Sequence, residues 1–406
     1  MPIHKKTILL FQGYLRKHIL NFGIELKSFI FIHDPQKKIS RQRNLKEMPV
    51  EKIFQIRKKS FITQMRQLLG IPNLQIKFTK EDIIFTYGCL LFTNKPYCVY
   101  IENAIAIFNY NTEIAKHPLA QHLVKFLLRR SSCRKIIFMS EAAKTGFLST
   151  MQFSEKELLL LSKKFSVCYP LILNPSSNID PQRKLKADST VKFLFTGTFY
   201  IKGGLEILNS FKRISREFPN TELSIVTGIE SIWPKDLLAI QSTPNVNIFD
   251  AAFSEKDLYE KFYNTHHVFL YPTYRDSFGL VLIEALSAGL PIIGTNQYAT
   301  SEMLIDGFNG YILEKHPLQD YKTDTFEIIG KLSEPADFFN QLFKLQKAGH
   351  LEYVEEFLYQ SMKRLLGNPA LLEEFSRNSL ALYEEKFSSQ KISQQIESVF
   401  LEALEK

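Results

Sequence analysis

Leu270-Tyr271-Pro272-Thr273-Tyr274-Arg275-Asp276-Ser277-Phe278-Gly279-Leu280-Val281-Leu282-Ile283-Glu284-Ala285-Leu286-Ser287-Ala288-Gly289-Leu290-Pro291-Ile292-Ile293-Gly294-Thr295 is the stretch from which the rest of the chain can be read. An apolar run ends at Pro272, as a buried strand does. A short loop follows with Asp276 and Ser277, both good helix caps. A helix starts near Phe278 or Gly279 and ends at Gly289, with Pro291 stopping it. A second buried strand follows. This order places the backbone N–H groups of Phe278, Gly279 and Leu280 at the mouth of a helix. Orphan donors and the helix dipole favour an anion there, and a diphosphate fits. Gly279 lets such a group approach the main chain with no side chain in the way. Glu284 falls in the second turn, where a carboxylate can accept from both hydroxyls of a ribose.

Outward from this segment the chain alternates. Before it, apolar runs at 191–196, 222–227, 246–249 and 268–271 read as strands, and 203–217 reads as an amphipathic helix. After it, 291–295 is a further strand. The first half repeats the alternation, with strands expected at 7–12, 28–32, 74–78, 82–86, 97–101, 135–139 and 167–169 and helices at 50–69 and 118–130. Strands alternating with helices indicate parallel, doubly wound sheets. A stretch of turn formers and charges at 174–189 separates the halves. Residues 1–175 are thus one α/β domain, 188–335 a second, and 336–406 a helical extension. Its last helix, near 389–404, is expected to pack back on the first domain.

Whole-chain quantities agree with two domains and exclude several classes. A chain of 406 residues with 45% hydrophobic residues is too long for one ordinary core. No run approaches the roughly 18–20 apolar residues that span a bilayer. The four cysteines form no Cys-x-x-Cys pair, so neither a disulfide framework nor a metal cluster is expected. No Asp-x-Asp is present to hold a metal bridged to a diphosphate, and no cofactor is expected. The net charge of +9 is uneven: residues 1–175 hold 28 Lys and Arg against 11 Asp and Glu. That half is expected to meet something anionic. The charges are scattered and carry no nucleic-acid motif, so nucleic acid is not the expected partner. The basic cluster Lys37, Lys38, Arg41, Arg43 and Lys46 reads as a solvated loop.

The sequence resembles the group 1 glycosyltransferases, glycosyltransferase family 4. Asp276 and Glu284 match the family's acidic pair seven residues apart, with Asp in the first place. Pro272-Thr273, Phe278-Gly279, Glu284-Ala285, Gly289-Leu290-Pro291, Glu302 and Gly307-Phe308-Asn309-Gly310 match its flanking elements. A second match is Phe195-Thr196-Gly197-Thr198-Phe199-Tyr200-Ile201-Lys202-Gly203-Gly204. Gly197 sits where the strand end must bend, and Lys202 can clamp a diphosphate as a point charge. Thr198 stands where the family usually has Arg.

The resemblance implies the GT-B fold, two Rossmann-like domains facing a cleft. It implies a nucleotide-sugar donor, UDP- or GDP-linked, bound around Gly197, Thr198, Lys202, Ser277, Phe278, Gly279, Leu280 and Glu284. Lys202, Asp276 and Glu102 are the expected catalytic residues. Glu102 occupies the strand end where many members carry a His that contacts the donor sugar, and Gly13 after the first strand fits a loop near donor and acceptor. Ser140 reads mostly as a helix cap. Retention of anomeric configuration, no metal, and a glycan or lipid-linked acceptor in cell-surface glycan synthesis follow from the same resemblance. The alternative is a catalytically degenerate GT-B scaffold that binds a partner. Thr198 and the absent His favour it; the acidic pair and Lys202 oppose it. The expected location is cytoplasmic, with contact to an anionic membrane surface. There, 118–135 is read as one helix whose apolar face is followed by Arg129, Arg130, Arg134 and Lys135.

Overall fold

The structure is a computed structural model that describes residues 5–11, 16–33, 61–173, 190–314, 318, 321–328 and 335–405. Residues 34–60, with the basic cluster, and the linker at 174–189 lie outside the described residues, as does Gly13.

Each half is built on a parallel sheet. In the first, β1 (Lys6–Phe11), β2 (Phe29–His33), β4 (Ile83–Tyr87), β6 (Tyr97–Ile101), β7 (Cys133–Phe138) and β8 (Phe165–Val167) lie in the order β2-β1-β4-β6-β7-β8. The short strands β3 (Leu74–Ile76) and β5 (Leu90–Phe92) pair beside it. In the second, β9 (Val191–Thr196), β10 (Thr221–Thr227), β11 (Val246–Asp250), β12 (Val268–Tyr271), β13 (Ile292–Thr295) and β14 (Gly310–Leu313) lie in the order β11-β10-β9-β12-β13-β14. That is the doubly wound order whose direction reverses between the first and fourth strands. All pairings within both sheets are parallel. Parallel strands are buried on both faces and read as continuous apolar runs. Tyr97–Ile101, Val191–Thr196 and Val268–Tyr271 therefore fall where the sequence places them.

One expectation changes. The stretch 118–135 is not one helix. The helix Pro118–Arg129 ends with Arg130 as its C-cap, and Arg134 and Lys135 lie in β7. Strand pairing of Cys133 with Tyr97 on one side and of Ile136 with Phe165 on the other outweighs the helix propensity of the basic run. The helix buries Ala120, Val124, Leu127 and Leu128 in the core and leaves Leu119 and Phe126 exposed. From residue 335 the described chain is helical to its end, as expected of the extension, and its first helices pack on the second domain. Phe338, Leu342, Val354, Leu358 and Met362 join Phe193, Phe195 and Phe211 in the core of the second domain.

The last helix, Ser389–Leu404, crosses to the first domain. Its buried residues Ile392, Ile396, Val399, Phe400 and Ala403 recur at helical spacing along one stripe. The Phe400 ring meets Phe22, Phe29, Phe31 and Phe85 at centroid distances of 5.7–6.3 Å. Burying one such ring stabilises by roughly 1.5–3 kcal/mol. Glu402 of the same helix pairs with Lys135 at the edge of this contact.

The domains also meet through Glu302. Its carboxylate accepts from the backbone N–H groups of Glu141 (3.0 Å) and Ala142 (2.9 Å), the start of the helix Glu141–Met151, and from the Tyr169 hydroxyl (2.9 Å). A side chain of the second domain thus satisfies orphan donors of a helix in the first. Ser140 caps the same helix by accepting from Ala143 N–H at 2.9 Å.

Candidate active site between the two domains

The carboxyl ends of both sheets face one pocket of about 250 Å³. In the second domain, β9 and β12 pair only as far as Leu194 and Phe269, so the last two residues of each strand are not paired with one another. Thr196, Gly197 and Tyr271 line the pocket at these ends. Open parallel sheets bind ligands at such a reversal point. From the first domain come Glu102, directly after β6, Met139, directly after β7, and Arg16, at the start of the helix Lys17–Glu25.

Two turns of the second domain form the floor. The turn after β9 carries Lys202, and Gly203 follows it at φ 73°. A Cβ on Gly203 would stand 2.5 Å from the Pro272 carbonyl oxygen, so only glycine lets this turn lie against the loop after β12. That contact delivers Lys202 to Asp276. The Lys202 ammonium donates to the Arg275 carbonyl at 2.8 Å, to the Tyr271 hydroxyl at 3.3 Å, and to the Asp276 carboxylate. Tyr271 also donates to Asp276, and the other Asp276 oxygen accepts from Phe278 N–H at 3.2 Å. Burial alone would push the Asp276 carboxyl up. Lys202, through its charge and hydrogen bond, with Tyr271 and Phe278 N–H, outweighs burial and holds it below the usual carboxylate range. Asp276 is therefore ionised at neutral pH and keeps the ammonium in the pocket.

The helix begins slightly later than the sequence suggests, at Leu280, and runs to Ser287 with Gly279 as N-cap at φ 89°. Phe278 N–H is taken by Asp276, so the helix mouth is formed by Gly279, Leu280 and Val281, all of which line the pocket. The first N–H groups of a helix lack intrahelical acceptors. Ser277 and Thr198 line the pocket as well. Glu284 lies half-buried in the second turn and accepts from the Tyr263 hydroxyl at 2.6 Å. Tyr263 in turn contacts the Thr196 hydroxyl at 3.3 Å. Glu284 thus sits beside the pocket, one residue removed from its wall.

Glu102 is buried and heavily bonded. One carboxylate oxygen receives Arg16 Nη2 at 3.0 Å, the Tyr110 hydroxyl at 3.2 Å and the Tyr87 hydroxyl, and the other receives Ser277 Oγ from the opposite domain. Burial works against the Arg16 charge, but Glu102, Tyr87, Tyr110 and Asp276 outweigh it and hold the guanidinium above its usual pKa. Arg16, Tyr271 and, behind the wall, Tyr263 are residues the sequence does not single out: Tyr271 reads there as the end of a buried strand, and no local motif surrounds Arg16 or Tyr263. Among the described residues no group of three or more His, Cys, Asp or Glu is placed to hold a metal ion.

Comparison with known proteins bears on this geometry directly. Residues 176–325 match the sequence model of the glycosyl transferases group 1 family. The matched stretch contains all six strands of the second sheet, β9 to β14. The capsular polysaccharide biosynthesis glycosyltransferase CapM of Staphylococcus aureus is 27% identical over 202 residues, 49% of this chain and 42% of that protein. The lipopolysaccharide 1,2-N-acetylglucosaminetransferase of Salmonella typhimurium is 26% identical over 149 residues, 34% of this chain and 39% of that protein. The chain spans less than half the length of either relative. In fold, a glycosyltransferase of Rickettsia africae aligns over 99% of this chain and 100% of its own at 13% identity and a TM-score of 0.57. Anabaena HepE, solved in complex with UDP, aligns over 98% of this chain and 99% of its own at 12% identity and a TM-score of 0.55. The fold is GT-B, with the group 1 signature at the mouth of the interdomain pocket.

Proposed function

We propose that this protein is a retaining glycosyltransferase of cell-surface glycan synthesis. It moves a sugar from a UDP- or GDP-linked donor to a saccharide or lipid-linked saccharide, without a metal ion. The observation that carries this reading is the convergence of Lys202, held by Asp276, with the helix mouth at Gly279–Val281 on one pocket between two Rossmann-like domains. An ammonium and a set of backbone donors aimed at one point suit a diphosphate leaving group. The capsular and lipopolysaccharide relatives support the glycan class.

In the reaction, the bond between the sugar C1 and the terminal phosphate oxygen breaks, and its electron pair stays on that oxygen. An acceptor hydroxyl oxygen bonds to C1, and its proton leaves to a phosphate oxygen. Charge rises on the diphosphate as the sugar gains oxocarbenium character. Lys202 and the helix N–H groups stabilise that charge more in the transition state than in the bound donor, which lowers the barrier. Asp276 positions Lys202, since both of its oxygens are bonded to protein donors. Glu284 would take the ribose hydroxyls.

The first domain supports an acceptor at an anionic surface. Ile76 pairs with Phe92 across the small sheet, and the Arg130 guanidinium lies 4.7 Å from the Phe92 ring centroid and 5.9 Å from that of Phe126. All three apolar side chains are exposed. Apolar groups under a cation are the chemistry of a membrane interface. No helix among the described residues is long and apolar enough to cross a membrane.

The test is a screen of the purified protein against UDP- and GDP-sugars by thermal shift and by donor hydrolysis. One donor class should raise the melting temperature and release nucleoside diphosphate. Absence of both effects with every donor would overturn the reading.

A further inference from the structure

Among the described residues two cations line the pocket, one from each domain: Lys202 and Arg16. They are bonded differently. The three protons of the Lys202 ammonium have three acceptors: Asp276, Tyr271 and the Arg275 carbonyl. Arg16 has five N–H donors in a planar fork. Among the described residues it pairs with Glu102 through Nη2 at 3.0 Å, and its guanidinium carbon lies 4.7 Å from the Tyr87 ring centroid. About a third of its side chain, 34%, stays exposed on the pocket wall. Glu102 is the opposite case. Arg16, Tyr87, Tyr110 and Ser277 together occupy its two oxygens. Three of these donors, Arg16 among them, share one oxygen and Ser277 takes the other, so its geometry is that of a holder for Arg16.

The charges in the pocket also matter. Lys202 and Arg16 are balanced by Asp276 and Glu102, while a departing diphosphate brings additional negative charge. The group best placed to meet it has a permanent charge and N–H donors in excess of its partners among the described residues. A guanidinium fork matches two phosphate oxygens, which an ammonium cannot do. Thr198, which lines the same pocket, brings no charge.

We propose that Arg16 binds the terminal phosphate of the nucleoside diphosphate across the domain interface, oriented by Glu102. The proposal rests on the donor-site reading above. It makes the first domain a contributor to leaving-group stabilisation. The hydroxyl of Ser277 on Glu102 ties Arg16 to the loop that carries Asp276, so the second cation is in place only with the domains in the arrangement seen here. Arg16 exchanges no proton during transfer; it stays a cation while the electron pair of the broken C1–O bond settles on the phosphate.

The experiment is a titration of UDP, GDP and the corresponding monophosphates into the full chain and its R16A and R16K variants. In the wild type, one diphosphate should bind more tightly than its monophosphate. R16A should weaken that diphosphate at least tenfold and leave the monophosphate within twofold. R16K should bind the diphosphate between the two, since it restores a charge without the fork. Diphosphate binding to R16A within twofold of wild type would overturn the proposal. So would an equal loss of mono- and diphosphate, which is what a disturbed fold would give. If the wild type binds neither UDP nor GDP, the donor-site reading itself fails. If it binds one and R16A is indifferent, only the role of Arg16 fails.

Discussion

Replacing Glu206 with Gln should make the protein more stable at pH 8 and leave it nearly unchanged near pH 4. Glu206 lies in the first turn of the helix Gly204–Glu217, just after Lys202, and is 1% exposed. Gln346 donates to one of its oxygens at 2.9 Å. Burial raises its pKa most; the hydrogen bonds from Gln346 and Tyr274 lower it less, and the result is pushed up from 4.5 to about 7. The folded state therefore holds the proton more tightly than the unfolded chain. Between about pH 4.5 and 7 the folded state binds more protons, and stability falls as pH rises. The shift from 4.5 to about 7 corresponds to roughly 3 kcal/mol at 1.36 kcal/mol per pKa unit. This cost is absent below the unfolded pKa and complete above the folded one. Gln carries no charge to desolvate, and its amide can donate to the buried Oε1 of Gln346, which has no partner among the described residues. The assay is the difference in melting temperature between variant and wild type from pH 4 to pH 8. A gain of roughly 1 kcal/mol moves the melting temperature of a domain of this size by about 2–4 °C. The difference should grow by several degrees over the window. A difference that is flat with pH, or that favours the wild type at pH 8, would refute the argument that burial dominates at Glu206.

At the site, Lys202→Ala should lower turnover about 10²–10³-fold, the cost of removing one preorganised charge partner, with a smaller effect on donor binding, measured by donor hydrolysis and titration. Glu284→Gln should weaken nucleotide binding by about 1.5–3 kcal/mol, the range for charge-assisted hydrogen bonds, and calorimetry with UDP and GDP reads it. Activity should survive EDTA; loss on chelation and recovery with Mg²⁺ or Mn²⁺ would contradict the proposed transfer without a metal. The full chain should sediment with anionic vesicles at low salt and dissociate as salt rises, since each basic group near an anionic surface contributes about 1 kcal/mol within a Debye length. Equal partitioning onto neutral vesicles would contradict a surface held by charge.

The sequence carried the second domain better than the first. In 268–295 the strand, the loop, the glycine and the helix follow each other without a gap, so local chemistry and tertiary role coincide. Lys202 was readable for the same reason, because it opens the turn between a clear strand and a clear helix. The strand Gly310–Leu313 reads in the sequence only as the end of a glycine motif, since four residues that open on a glycine carry little strand signal. The end of the helix at Arg129 was hidden because Arg130, Arg134 and Lys135 are compatible with helix and no Gly or Pro marks the boundary. Glu102 stands directly after the strand Tyr97–Ile101, the position its sequence suggests. Its partners come from four separate segments, at Arg16, Tyr87, Tyr110 and Ser277, and such convergence has no local spacing to read. Arg16 was invisible as a site residue for that reason, one basic residue among 28 in the first 175.

The central claim is that a nucleoside diphosphate sits at the helix mouth beside Lys202. Amide hydrogen exchange of the full chain, with and without UDP or GDP, tests it most directly, because backbone N–H groups bound to phosphate exchange more slowly. The account predicts protection confined to the peptides spanning Gly197–Gly203 and Ser277–Ile283, with the remainder of the second domain little changed. Binding that leaves both peptides unprotected, or protection centred elsewhere in the chain, would contradict it.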